Sequence, residues 1–355
     1  MATYYIIVII MATLLAFCFI DIKGYLSIFP LLVLMFVLFA YMKSNVDMGA
    51  YIGFYNGINS IRDIMITDPG FGLLMYSGRL LGLDYFSFLG YLGVLGLMFL
   101  TWTFQKSSKV PAIVLALYFI MDYSAEIIQI RAFIAETVMY ILMWDIIEKE
   151  RFKWLRFFIL LTIGITFHST CFFFALLLLP QILKNRKKLI MVVAIICVIV
   201  PTAVVLLRYI PIPMLRDKLQ FYVAEQRSRI SLTGLLYVTL FLGITVFINR
   251  TRILNRDWIW QEKLGKLLDI HIVSFIACVL LLYFSSNFYR MLRTVMVVDF
   301  IVIGNYYYQT GKLNRHLQVV MAIGVFGFFV ACEVLLKQYY TVMIDNSVFT
   351  WLMKL

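Results

Sequence analysis

Between positions 122 and 136 the chain reads Asp122-Tyr123-Ser124-Ala125-Glu126-Ile127-Ile128-Gln129-Ile130-Arg131-Ala132-Phe133-Ile134-Ala135-Glu136, which sets acids, an amide and an arginine inside an apolar run. At membrane depth each such group is costly and needs a partner, a water-filled cavity or a substrate. Taken as one helix at about 100° per residue, Glu126, Gln129, Phe133 and Glu136 share a face. Arg131 points roughly the other way, with Ser124 and Ala135. Glu126 of the same helix therefore neutralises Arg131 poorly. The counter-charge must come from an acid on another helix, for which Asp299 and Glu333 in late apolar runs are candidates, or from an anionic ligand.

Four further groups have types and spacing that suit chemistry. Arg290 and Arg293 follow Tyr289 and share a helical face at i, i+3. Like charges there repel unless an anion sits between them, which favours a bound anionic ligand over contact with lipid headgroups. His168 lies deep in an apolar run beside Thr166, Ser169 and Thr170. It can serve as general base, proton donor or phosphate contact, or as a helix-breaking residue capped by its neighbours. Asp47, Tyr51 and Tyr55 fall at i, i+4 and i+8. Tyrosines beside a carboxylate suit sugar binding, and equally an interfacial aromatic belt. Asp68-Pro69-Gly70 is a turn signal that opens a short helix over 70–81, with Asp68 as N-cap.

The elements that must position these groups follow from composition. The chain has 355 residues, 63% hydrophobic and 14% charged, against about 45–50% and 25% in a soluble domain. The runs are continuous rather than alternating, which disfavours a β-barrel. The expected fold is an all-α polytopic integral membrane protein, a single transmembrane domain over 1–355. Candidate spans cover 4–20, 25–41, 86–104, 110–121, 126–147, 189–207, 231–248, 267–284, 294–308 and 317–336. The first span lacks a basic leader and a cleavage site and reads as uncleaved.

Loop charge sets the expected topology. The most basic short loops, 148–156 and 184–188, both belong in the cytoplasm. A single span over the apolar run 157–179 would separate them. A re-entrant pair of half-helices with His168 near the turn keeps them together, and non-helical backbone at depth is allowed where it lines a cavity. Loops 21–24, 105–109, 249–266 and 312–315 then fall inside. Segments 43–85, 122–125, 208–230, 285–293 and the C-terminal tail fall outside, giving ten crossings with both termini external. The outer segments carry Arg62, Arg79, Arg208, Arg216, Arg227, Arg229, Arg290 and Arg293. Arginine's planar fork suits bidentate phosphate binding, although external acids and headgroups can also take these charges. Segment 208–230 reads as an amphipathic helix in the outer interface.

Several chemistries find no support. The sequence holds no P-loop, dinucleotide fingerprint, Gly-x-Ser-x-Gly elbow or His-Glu-x-x-His. The five cysteines sit in apolar runs without metal-ligand or disulfide spacing. No metal or cofactor is expected. The net charge of +12 is positive-inside charge plus any anionic-lipid site, not a nucleic-acid signature.

Taken in order, Asn45-Val46-Asp47 with Tyr51 and Tyr55, Asp68-Pro69-Gly70-Phe71, Gln129-Ile130-Arg131-Ala132-Phe133, Phe167-His168-Ser169 and Tyr289-Arg290 resemble the EpsG family of Wzy-type bacterial polysaccharide polymerases. Ala132 and Asn45 stand where that family often has glutamine and glycine. The resemblance implies a glycosyltransferase-C-like membrane core in the bacterial plasma membrane. It implies a glycosyltransferase that moves a growing glycan from undecaprenyl pyrophosphate to a lipid-linked repeat unit on the outer face. Its partners would be that oligosaccharide substrate, membrane lipid, a chain-length regulator and other assembly proteins. Arg131, Arg290 and Arg293 would meet the pyrophosphate, and His168 would act as base or second phosphate contact. Asp47, Asp68, Tyr51 and Tyr289 would position substrate, with Glu126 or Gln129 lining the cavity. A lipid-linked oligosaccharide flippase is the alternative of a different class; such transporters tend to show internal repeats, and none is evident. An acyltransferase is a third reading.

Overall fold

A computed structural model of the chain describes residues 2–42, 47–206, 232–281 and 289–336. The described residues are mostly helical, without a strand. We number the α-helices in chain order. The first eight are α1 (Ala2–Ile20), α2 (Ile28–Ala40), α3 (Met48–Gly57), α4 (Pro69–Leu80), α5 (Tyr85–Ser107), α6 (Pro111–Tyr118), α7 (Ser124–Ile128) and α8 (Ile130–Glu148). After them come α9 (Trp154–Phe167), α10 (Leu179–Ile182), α11 (Arg186–Leu206), α12 (Leu232–Leu254), α13 (Trp258–Leu281), α14 (Tyr289–Gln309) and α15 (Arg315–Leu336). Among the described residues, five helical stretches are long and apolar enough to cross a membrane, and four shorter helices are apolar. The molecule is a polytopic helical membrane protein. Residues 43–46, 208–230 (with Arg208, Arg216, Arg227 and Arg229), 285–288 and the C-terminal tail lie outside the described residues.

The chain forms two compact units. The first comprises Met1–Leu142, Leu155–Phe172 and Phe300–Leu355; the second comprises Met143–Trp154 and Phe173–Asp299. In the first unit, short polar devices close the turns. Asp21 accepts the amides of Leu26 and Ser27 at 2.7 and 2.8 Å, between α1 and α2. Burial works against its charge, yet these amides hold its carboxyl below the usual carboxylate range. Ser60 and Asp63 form a capping box on the 3-10 turn Ile61–Ile66. Asp84 caps α5 through the Ser87 amide at 2.7 Å. Hydrogen bonds to Asn59 and Ser60 pull Asp63 down, and bonds to Ser87 pull Asp84 down.

At one end of this unit three basic loops meet. Lys23 lies 4.4 Å over the Tyr308 ring, Arg315 donates to the Ile20 carbonyl at 3.2 Å, and Asn305 joins the Ser107 carbonyl to the Lys109 amide. These are the loops expected to lie together on the basic side. The 23 residues of α5, at about 1.5 Å each, carry the chain from that end to the aromatic cluster of Tyr55, Tyr85 and Phe88.

The second unit bears on the expected fold-back. Lys263 Nζ lies 2.8 Å from Glu148 Oε2, Lys266 Nζ 2.9 Å from the Lys149 carbonyl, and Arg186 Nε 2.7 Å from Asp269 Oδ1. The loops before α9 and before α11 therefore share one face of this unit, so the run between them leaves and returns. Its single non-helical residue between Trp154 and Ile182 is His168, flanked by α9 and the 3-10 helix Ser169–Leu178. The 14 residues of α9 reach only about 21 Å, short of a hydrocarbon core of about 30 Å.

Two boundaries differ from the sequence reading. Positions 122–125, expected as an outer loop, are a π turn (Phe119–Tyr123) running into α7, and Asp122 and Ser124 are buried. The span is continuous over Pro111–Ile128, and the break falls at Gln129, with φ −107° and ψ 61°. Glu126 and Arg131 thus sit on separate helices, and the single-helix wheel does not apply to them. Loop 249–266 also shrinks to 255–257, because α13 begins at Trp258.

Candidate functional site

The break at Gln129 makes Arg131 the second residue of α8, where a cation opposes the helix dipole and gains from a nearby acid. That acid is Asp68. Arg131 Nη1 donates to Asp68 Oδ2 at 2.9 Å and to Thr67 Oγ1 at 3.4 Å. The counter-charge therefore comes from Asp68 at the head of the short helix α4, while Asp299 pairs with His271 at 2.7 Å. Pro69 begins α4 directly after Asp68, as the turn signal required; Asp68 makes no side-chain capping bond, and its carboxylate serves tertiary partners. His168 Nδ1 stands 3.6 Å from the same Asp68 oxygen, an ion-pair distance just beyond a hydrogen bond. The side chains of Asp68 and His168 are 13% and 14% exposed and that of Arg131 30%, so the cluster is shielded yet open.

Tyr51 completes the cluster from α3. The Arg131 guanidinium lies 5.7 Å from its ring centroid, and Phe71 meets the ring edge-on at 6.0 Å. Burial pushes the Tyr51 hydroxyl above its ordinary range, and Arg131 pulls it back in part. Its ring is 4% exposed, so it seats Arg131 rather than offering a face to a sugar. Tyr55 is likewise buried, its hydroxyl donating to the Leu83 carbonyl at 2.8 Å. Both tyrosines thus pack inside the first unit. Asp47 stands at the head of α3, on the same helix face, without a side-chain cap bond.

Glycines set how closely these elements approach. A Cβ on Gly70 would lie 2.8 Å from Thr166 Oγ1 and 3.0 Å from the Thr166 backbone, so the turn after Asp68 abuts the end of α9 that carries His168. A Cβ on Gly96 would lie 2.1 Å from the Phe133 ring. Phe133 seats α8 on α5 there, instead of sharing a polar face with Glu126. Without side chains at these two positions α4, α5, α8 and α9 close on one another. That closeness is what brings Asp68, Arg131 and His168 together.

Glu126 and Gln129, expected to line a cavity, flank the helix break. Glu126 is fully buried, and its carboxylate converges with those of Asp122 and Glu136, ligand atoms of all three lying within 4.8 Å of one another. Tyr140 donates to Asp122 at 3.1 Å. Among the described residues this is the group whose spacing could hold a cation; sequence reading separated it, having put Asp122 in a loop. Gln129 Oε1 is buried at the helix break with no hydrogen-bond partner among the described residues.

In the second unit Arg290 and Arg293 lie in the first turns of α14. Arg293 is 3% exposed, its guanidinium 5.7 Å from the Tyr289 ring, and Tyr289 stacks on Tyr237 of α12 at 5.8 Å. Of the other arginines expected on the outer side, Arg79 donates to Asn59 Oδ1 at 3.2 Å and lies over Tyr55, a structural role. His271, to which sequence reading assigned nothing, is fully buried with Asp299. Their spacing of 28 residues carries no local signal.

Apolar helices that enclose buried and half-buried polar groups define a polytopic helical membrane protein. A family model described as the EpsG family matches residues 25–344, and the chain belongs to the EpsG family. No curated protein and no solved structure matches it. The family suggests a polysaccharide polymerase role in exopolysaccharide biosynthesis.

Proposed function

We propose that the protein is a glycosyltransferase of the plasma membrane that polymerises lipid-linked repeat units on the outer face. It would move a growing glycan from undecaprenyl pyrophosphate to a hydroxyl of the next unit. The observation that carries this reading is the convergence of Arg131, Asp68 and His168 at the end of the first unit opposite its basic loops. Outer-face placement follows from assigning those loops to the cytoplasm.

The chemistry follows from the groups. The acceptor oxygen attacks the anomeric carbon, the carbon–oxygen bond to pyrophosphate breaks, and its electron pair leaves on phosphate. A guanidinium held in place beforehand stabilises that charge without reorganising. Arg131, fixed by Asp68 along one edge and supported by Tyr51, is the candidate. The acceptor proton needs a base within reach, and His168 is the candidate, with Asp68 stabilising the imidazolium that forms. Asp68 is thus a positioning residue for both, in place of the sugar contact first expected. Arg290 and Arg293, with Tyr289, are candidates for further phosphate contact from α14, and Asp47 for sugar.

Reconstitution with purified lipid-linked repeat units tests the proposal. A ladder of glycan lengths on lipid is the expected product. Movement of intact single units across the bilayer with no ladder would establish the transport reading instead.

A further inference from the structure

Three helices of the second unit meet through a polar chain in which His271 and Asp299 are buried and Thr245 is half-buried. Thr245 of α12 donates its hydroxyl hydrogen to the Phe241 carbonyl at 2.7 Å, a back-bond within its own helix. Its oxygen lies 2.8 Å from His271 Nδ1 on α13, and His271 Nε2 lies 2.7 Å from Asp299 Oδ1 on α14. The Phe241 ring stacks on the imidazole at 4.3 Å and 17°. His271 and Asp299 are both 0% exposed.

The back-bond sets a proton count for this chain. With the Thr245 hydrogen on the Phe241 carbonyl, the Thr245 oxygen accepts from Nδ1, and His271 is in the tautomer that carries a hydrogen there. Nε2 and Oδ1 are both acceptors until one is protonated, so a contact of 2.7 Å needs a second proton on that line. Imidazole with carboxylic acid and imidazolium with carboxylate are both formally neutral, and a neutral pair is what a membrane interior tolerates.

Asp299 sits on α14 six residues after Arg293, and Tyr289 at the head of α14 stacks on Tyr237. Tyr237 and Thr245 lie on α12 in the same order as Tyr289 and Asp299 on α14, so the two helices run parallel and are joined at two levels. Arg290 and Arg293 lie between those levels. We propose that His271 and Asp299 hold one shared proton in a neutral pair that fixes the register of α14, making them positioning residues for Arg290 and Arg293. The consequence for turnover rests on the polymerase reading above; the clamp itself does not.

Asp299→Asn and Asp299→Leu separate the possibilities. The asparagine amide can donate to Nε2 while Nδ1 still donates to Thr245, so the clamp survives without an acid; leucine keeps the volume and loses the bond. In reconstituted protein, Asp299→Asn should keep the thermal midpoint and the KM for lipid-linked donor close to wild type. Asp299→Leu should lower the midpoint by several degrees and raise KM by about tenfold or more, with a smaller change in kcat. Thr245→Val, which removes only the acceptor for Nδ1, should shift both the same way by less and stands in if Asp299→Leu fails to accumulate. Asparagine as damaging as leucine at equal membrane abundance would overturn the clamp in favour of an obligatory acid. Leucine or valine behaving as wild type would show that the pair positions nothing. If the wild type extends no chains, the polymerase reading fails, and the midpoints alone decide the clamp.

Discussion

Arg131 carries the strongest residue-level expectation. It sits beside Asp68 and Thr67 and over Tyr51, where the shape of the guanidinium matters as much as its charge. Arg131→Ala should abolish chain extension while the protein stays in the membrane. Arg131→Lys should rescue poorly, because an ammonium reproduces neither the fork nor the stack; a fully active lysine variant in the ladder assay would reduce Arg131 to a plain charge. His168→Gln should cut the rate of extension by about 10²- to 10⁴-fold if it is the base, with little change in donor affinity. A raised KM at unchanged kcat would make it a phosphate contact instead. The types and isolation of Arg131 and His168 were readable from sequence, since each is a polar group inside an apolar run. Their shared partner was not, because Asp68 is separated by 63 residues from Arg131 and by still more from His168.

At the scale of elements, the close approach of α4 to α9 depends on Gly70. Gly70→Ala must move the Thr166 backbone and not merely a flexible side-chain end. It should destabilise the protein by about 1–3 kcal/mol and lower chain extension with it. A thermal midpoint and an extension rate equal to wild type would show that the contact yields. Gly70 announced a turn in the sequence, but only the packed helices reveal what its missing side chain admits. Helix existence was legible wherever the apolar run was long. The failure at 122–129 has a physical reason: acids suggested a loop, but buried in a cluster with Glu136 and Tyr140 they are compatible with helix. The change of direction falls instead at Gln129.

For the whole molecule, the orientation of the first unit can be checked directly. The native cysteines are buried or half-buried, so added thiols report cleanly. With Arg62→Cys and Lys312→Cys, a membrane-impermeant thiol reagent applied to intact cells should label position 62 and spare 312. The opposite pattern would put the Arg131 cluster on the cytoplasmic face and remove the proposed reaction from the outer surface.

The sequence by itself determined the membrane class, the helical fold, the family and the positions of the out-of-place polar groups. These follow from composition, run length and local spacing, which are properties of neighbouring residues. Even the fold-back around His168 was implied by two basic loops that belong on one side, and the contacts of Glu148, Lys149 and Arg186 with α13 place those loops on one face. Only the tertiary structure decided who partners whom. It gave Asp68 to Arg131 and His168 and Asp299 to His271, and it gathered Glu126 with Asp122 and Glu136 into one acidic cluster. A buried charge is satisfied by whichever group packing brings within a few ångströms, and sequence separation does not limit that choice.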